Sequence, residues 1–257
     1  MTIKNKLILG IGTIVLTFGI STGVSVHEMK DVKDISKLTG EETVPFALLA
    51  ADTKFHSCQI QQFFTDASLT QNSDAIKEAE SSYKTFLNNL SKFEEMFQRE
   101  NDQESLATLN NAKEIAQKLV QVGNKMVLEY GKSKSSGDMV MEEVDKFAAE
   151  LGKVVDKLKL EQSDEAIMNS RLTIEKSDTT LMLSLILGLI GIVVGIIIGI
   201  VLTRQINGSL EHFKEGLLTF FAYLNRETNE AKMLKEEGND EFAQMAKVVN
   251  ENIVKTK

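Results

Sequence analysis

The chain has 257 residues, one proline, no tryptophan, 16 glycines and a formal net charge of −8. Turn-rich β folds place proline and glycine at many corners, so the single Pro45 argues against a sandwich, barrel or propeller and for helix. A hydrophobic content of 42% argues against wholesale disorder; the lone Cys58 excludes an intrachain disulfide framework, a multi-thiolate metal centre and attached c-type haem.

Residues 1–6 carry Lys4 and Lys6 and form a short N-terminus. Leu7–Val26 follows with 20 residues and no ionisable group, enough helix to reach roughly the 30 Å of a bilayer core. It holds 11 Leu, Ile, Val or Phe residues. A cleaved signal peptide is the competing reading, because two lysines precede an apolar run and Gly19–Gly23 is rich in small residues. No clear A-x-A site follows, which favours a permanent span. Gly19 and Gly23 stand four apart, the spacing that lets membrane helices approach closely.

Residues 27–179 carry 19 cations and 28 carboxylates, a charge of −9 that holds nearly all the acidity. Within them, Gly40 and Pro45 mark an expected break or kink. Pro45–Leu69 reads as helix by exclusion, apolar at Leu48, Ala51, Phe55 and Cys58. Gln59, Gln62 and Asp66 share one face of it, where polar groups can hydrogen-bond a small ligand or simply meet solvent. Phe63 and Phe64 read as core or dimer contacts, and His56 as an ordinary residue of the helix surface or bundle edge. Thr70–Asp74 reads as a turn. Ile76, Ala79, Tyr83, Phe86, Leu90, Phe93 and Phe97 then follow a/d spacing, the stripe of one helix face. Asn101 with Glu104 resembles a capping box. Leu109, Ala112, Ala116, Leu119, Gly123, Met126 and Tyr130 repeat the rhythm, and Gly131–Asp138 reads as the longest loop. Val140, Val144, Phe147, Leu151, Val154 and Leu158 continue it. Four segments of similar length predict an all-α fold built on an antiparallel up-down-up-down four-helix bundle. Residues 27–44 and 160–179 read as a two-helix stalk or as helix ends close to the membrane.

The second span covers residues 180–203. Its core, Leu181–Leu202, has 22 uncharged residues, among them 6 Leu, 7 Ile and 3 Val. At roughly 0.3–0.6 kcal/mol each, these favour insertion by about 5–10 kcal/mol. Gly191, Gly195 and Gly199 form a GxxxGxxxG row and predict a transmembrane packing face. Lys4 and Lys6 before the first span and Arg204 after the second place both termini inside and residues 27–179 outside. Residues 204–257 carry 8 cations and 9 carboxylates. Leu210, Phe213, Leu217, Phe220 and Leu224 give one seam, Asn225–Asn239 a polar connector, and Phe242, Met245, Val249 and Ile253 a second seam. Two short helices with one stripe each want a partner copy, which predicts a parallel coiled coil in a homodimer.

The block Asp240-Glu241-Phe242-Ala243, after a span, an amphipathic helix and a connector, resembles the Asp-Glu-Ile-Gly opening of the second helix of a HAMP relay. The whole order resembles the sensor half of a methyl-accepting chemotaxis receptor. Gly216–Glu227, Gln244–Ile253 and, more distantly, Phe55–Ser68 look like blocks of those receptors. Ser209 stands where that family has proline, and Ala243 where it has glycine. The resemblance implies a two-pass receptor in the bacterial inner membrane with a periplasmic sensor, dimeric and clustered, answering a small molecule or a carrier protein. It implies contact with a histidine kinase and coupling protein only through a signalling hairpin, which would lie beyond Lys257. The same pattern fits the sensor half of a membrane histidine kinase or cyclic-dinucleotide enzyme, and a structural membrane coiled coil without ligand. No catalytic motif is visible, so no enzyme is expected, nor a cofactor or metal site; His56 and Cys58 make a poor metal pair. The acidic exterior argues against a nucleic-acid partner.

Overall fold

The computed structural model describes residues 1–236 and 238–256, and among them all regular structure is helical, with no strand. Helix α1 (Ile3–Leu38) passes through a π-helical turn at Thr39–Thr43 into α2 (Val44–Thr70). Then come α3 (Ser73–Glu100), α4 (Gln103–Lys132), the 91-residue α5 (Lys134–Leu224) and α6 (Glu241–Thr256). The chain divides into two compact units, residues 32–176 and residues 1–31 with 177–257.

At Gly40 and Pro45 the expected break is a π turn instead. The Val44 N–H bonds to the Thr39 carbonyl, and Pro45 sits in the first turn of α2, where its missing N–H costs least. The turns of residues 32–176 are short because their ends are capped by side chains. Gln71 ends α2 in the left-handed region at φ 56°, and Asn72 caps α3 by accepting from the Asp74 N–H at 3.0 Å. At the next corner the capping box expected at Asn101 is replaced by another arrangement. Asn101, at φ 58°, is the C-terminal cap of α3, and the Asp102 N–H closes back to the Phe97 carbonyl at 2.9 Å in a Schellman pattern. Asp102 begins α4, accepting from the Ser105 N–H at 3.0 Å and its hydroxyl at 2.6 Å, which holds the Asp102 carboxyl below the usual carboxylate range. The long loop expected over Gly131–Asp138 contracts to Ser133 alone. Gly137 lets the chain turn that tightly, because a Cβ there would lie 2.3 Å from the Tyr130 ring.

One core unites residues of α2, α3, α4 and the first part of α5. The a/d stripes of α3 and α4 supply it much as their spacing predicts: Ala79, Phe86, Leu90, Phe93 and Phe97, then Leu109, Ala112, Ala116, Leu119 and Met126, are buried. On α5, Val140, Val144, Leu151 and Leu158 are buried, and Val155 takes the inward place expected of Val154. Helix α2 turns the other way from the expected one. Its buried residues are Ala50, Thr53, Ser57, Ile60, Phe64, Ala67 and Ser68, while Leu48, Phe55 and Cys58 lie exposed on the opposite side. Ile60 and Phe64 are fully buried, and full burial of each is worth about 1.5–3 kcal/mol. Phe64 closes on Gly123 of α4, where a Cβ would stand 2.5 Å from the ring.

Candidate functional site

Two helices, Ile3–Thr70 and Lys134–Leu224, are long and apolar enough to cross a membrane. Within residues 1–31 and 177–257, three contacts join their apolar stretches. A Cβ on Gly10 would lie 2.7 Å from Leu202, the ring of Phe18 rests about 3.4 Å from the Cβ position of Gly191, and the hydroxyls of Ser25 and Ser184 are 2.9 Å apart. The order 10, 18, 25 on α1 matches 202, 191, 184 on α5, so the two stretches run antiparallel. The serine pair gives each hydroxyl a hydrogen-bond partner within an otherwise apolar surround. Of the expected packing glycines, Gly191 meets Phe18, while Gly19, Gly23, Gly195 and Gly199 have open space at the Cβ position.

Ser209 of α5 and the start of α1 both meet the start of α6. The Asp240 carboxylate accepts from the Ala243 N–H at 3.0 Å, capping α6, and its other oxygen accepts from the Ser209 hydroxyl of α5 at 3.0 Å. Next to it, Glu241 accepts from the backbone N–H of Ile3 at 2.5 Å and of Lys4 at 3.4 Å. A helix leaves its first N–H groups without internal partners and carries partial positive charge there. Glu241 supplies both the acceptor and the opposite charge, and the Ile3 hydrogen bond in turn lowers the Glu241 carboxyl below the usual range. Two consecutive carboxylates thus hold α5 and the start of α1.

The seam between α5 and α6 is closed by the connector. Ala231, Leu234, Ala246 and Ile253 are buried together, with Phe213, Phe220, Tyr223 and Val249 packed against them. Gly216 lies under Leu234, whose side chain would stand 2.4 Å from a Cβ. Buried Asn250 accepts from the Leu234 N–H at 2.7 Å and donates to the Leu234 carbonyl at 2.9 Å and to Glu236 at 2.8 Å. The rings of Phe213 and Phe242 stand 6.0 Å apart. Leu217 is half-buried, whereas Leu210, Leu224 and Met245 are exposed. The seam spacing finds Phe213, Phe220, Val249 and Ile253. It misses Leu234 and Asn250; the signal for them is an apolar Met233-Leu234 pair within an otherwise polar connector and an asparagine at an inward position of α6.

In residues 32–176, Gln59, Gln62 and Asp66 lie together on α2, with the Gln59 amide donating to Gln62 at 3.0 Å. Gln62 and Asp66 are exposed, on the same outer side as Phe55 and Cys58. Beside them Lys54 pairs with Asp156 at 2.9 Å and the Gln61 amide donates to Asp145 at 2.8 Å, joining α2 to α5. Half-buried His56 stands 3.7 Å from Asp52, whose other oxygen accepts from the buried Asn89 amide at 2.7 Å. The His56 Nδ1 is buried with no hydrogen-bond partner. A cavity of about 790 Å³ opens over Pro45, Phe46 and Leu49 beside Lys92 and Arg99. Among the described residues, no group of three or more His, Cys, Asp or Glu side chains could hold a metal ion.

Comparison with protein-family models, with curated proteins and with solved structures finds no match for this chain.

Proposed function

We propose that the chain is the sensing, membrane-crossing and relay portion of a homodimeric chemoreceptor. In this reading, residues of α2, α3, α4 and the first part of α5 form an antiparallel four-helix sensor bundle outside the bacterial inner membrane. The apolar stretches of α1 and α5 are its two spans, and residues 204–257 are a HAMP-like coiled coil inside. A stimulus at the bundle favours one helix packing, displaces one span against the other, and so biases the relay between two packings. No bond is made or broken.

One observation carries the reading. Asp240 and Glu241, adjacent at the start of α6, bind Ser209 just after one apolar stretch and the Ile3 amide just before the other. A relative movement of the two spans must change at least one of these attachments, and α6 begins at that point. A protein that served only as a membrane coiled coil would not need both ends gripped by one helix start.

The test joins the chain at Lys257 to the signalling hairpin of a characterised chemoreceptor, in cells lacking their own receptors. A panel of amino acids, organic acids and amines is screened for a change in swimming bias. The expected result is a response to at least one compound that disappears in Glu241→Ala or Asn250→Ala. A chimera that assembles in the membrane, yet answers no compound and is indifferent to both substitutions, would sink the proposal.

A further inference from the structure

A second cavity, about 310 Å³, lies where the α3–α4 corner meets α5. Carboxylates from three helices border it: Glu100 on α3, Asp102 and Glu104 at the start of α4, and Glu161 and Glu165 on α5. Asp102 is occupied in capping α4, and Glu161 stands 3.6 Å from Lys157, a cation on the same rim. Glu100, Glu104 and Glu165 have no ion pair among the described residues. Glu100 is also the last residue of α3, where the negative end of the helix dipole disfavours a carboxylate. Burial, with repulsion from Glu165 and Glu42, raises its carboxyl above the usual range. The arrangement is a concentration of negative charge: five carboxylates border the cavity, and Lys157 is the one cation among the residues that line it.

An acidic rim alone is an ordinary solvated surface, and a buried amide distinguishes this one. Gln162 of α5 borders the cavity, is only 6% exposed, and makes no hydrogen bond among the described residues. Its amide is open to the cavity rather than sealed in the core. Its neighbours on the cavity wall are Phe97 and Leu158, both buried apolar side chains. The cavity therefore offers an amide acceptor and an apolar wall inside, with carboxylates spread around its rim.

We propose that this cavity binds a linear aliphatic diamine. An ammonium group needs several oxygen acceptors, which Gln162 and the unpaired carboxylates supply, and the methylene chain takes the wall of Phe97 and Leu158. A second ammonium uses the remaining carboxylates. A single divalent metal ion fits less well, because no three carboxylates converge closely enough to chelate one. Occupancy would link the α3–α4 corner to α5. That the ligand is a signal rests on the receptor reading above; that it binds does not.

Titration calorimetry of the full chain in detergent micelles tests this, with 1,4-diaminobutane as the probe. One saturable site per chain is expected, with Kd below about 1 mM. Glu165→Gln, Glu104→Gln and Gln162→Leu should each weaken it by about tenfold, which is 1.4 kcal/mol. Glu165 and Glu104 are exposed, so their variants keep the helical content that circular dichroism would check. Butylamine should bind at least about tenfold more weakly than the diamine. No saturable heat, equal affinity in the Glu165→Gln variant, equal affinity for butylamine, or displacement by an equal concentration of Mg²⁺ would each overturn the proposal. Because the measurement involves no signalling, a silent chimera with diamine binding condemns the receptor reading alone.

Discussion

Gly123 and Glu241 show how much a single side chain settles in this protein. The Phe64 ring occupies the space that a Cβ on Gly123 would need, at 2.5 Å, and both residues are in the dense interior of residues 32–176. Alanine there forces the ring off its rotamer, so Gly123→Ala should destabilise by about 1–3 kcal/mol in urea unfolding. Phe64→Ala, which leaves a cavity, should cost about 3–5 kcal/mol; equal stability of both variants with the parent would refute this packing. Glu241 makes a prediction in pH. Its carboxyl is held below the ordinary glutamate range in the folded chain, chiefly by the Ile3 N–H. A depressed folded value means that the attachment contributes fully above the unfolded value, near pH 4.3, and is lost as pH falls through the lower folded value. The thermal midpoint should therefore drop more steeply with acid in the parent than in Glu241→Gln. Parallel curves below about pH 5 would show that Glu241 holds nothing.

At the scale of elements, the caps decide where helices stop and contacts between the apolar stretches decide how those pair. Asn72 begins α3 with one side-chain bond to the Asp74 N–H. Asn72→Ala should cost about 1 kcal/mol, read by chemical unfolding, with the helix otherwise unchanged. The pairing of the apolar stretches has a sharper test. Ser25 and Ser184 place their hydroxyls 2.9 Å apart, well within the reach of a disulfide. A Ser25→Cys/Ser184→Cys pair in a Cys58→Ser background should crosslink rapidly within one chain in membranes. A Gly19→Cys/Gly195→Cys pair, at positions with open space around them, should not crosslink within a chain. The opposite ranking would mean that the two stretches meet in another register.

Periodicity made some of these elements legible and others not. Each of α3 and α4 has one apolar stripe, so spacing alone picks its inward face. Helix α2 has two, Leu48–Ala51–Phe55–Cys58 and Ala50–Ile60–Phe64–Ala67, and a helix read alone cannot say which one meets a partner. The loop expected over Gly131–Asp138 failed for a related reason. Its glycines and serines favour a turn locally, but Ser133 suffices for the reversal once Tyr130 packs on Gly137. In the candidate relay, the seam was legible as a stripe, whereas the bonds of Asn250 to Leu234 cross a connector with no period to read.

Across the whole molecule, the outer face of α2 is an unfinished surface. Leu48 is 67% exposed, Phe55 55% and Leu69 63%, with Cys58 between them on the same helix. Isolated apolar side chains at a surface are ordinary, but a stripe along one helix is a feature of contact faces. In the homodimer proposed above, two copies meeting along α2 would bring their Cys58 thiols near each other. Mild oxidation of the full chain in membranes should then give a disulfide-linked dimer that Cys58→Ser abolishes and Phe55→Glu reduces. Monomer throughout, by crosslinking and by sedimentation in detergent, would contradict the dimer.

What the residues determined by themselves is whatever depends on neighbours close in the chain: helix nearly everywhere, two apolar stretches of membrane length, and the inward stripes of α3 and α4. Repeats of three and four residues and runs of uncharged side chains act within a turn or two, so they can be read without a fold. The tertiary structure decided the inward face of α2, the use of Gly10 and Gly191 as close approaches, and the grip of Glu241 on the Ile3 amide 238 residues away. Those choices compare one distant partner with another, and the free energy that ranks them exists only when the partners are packed together.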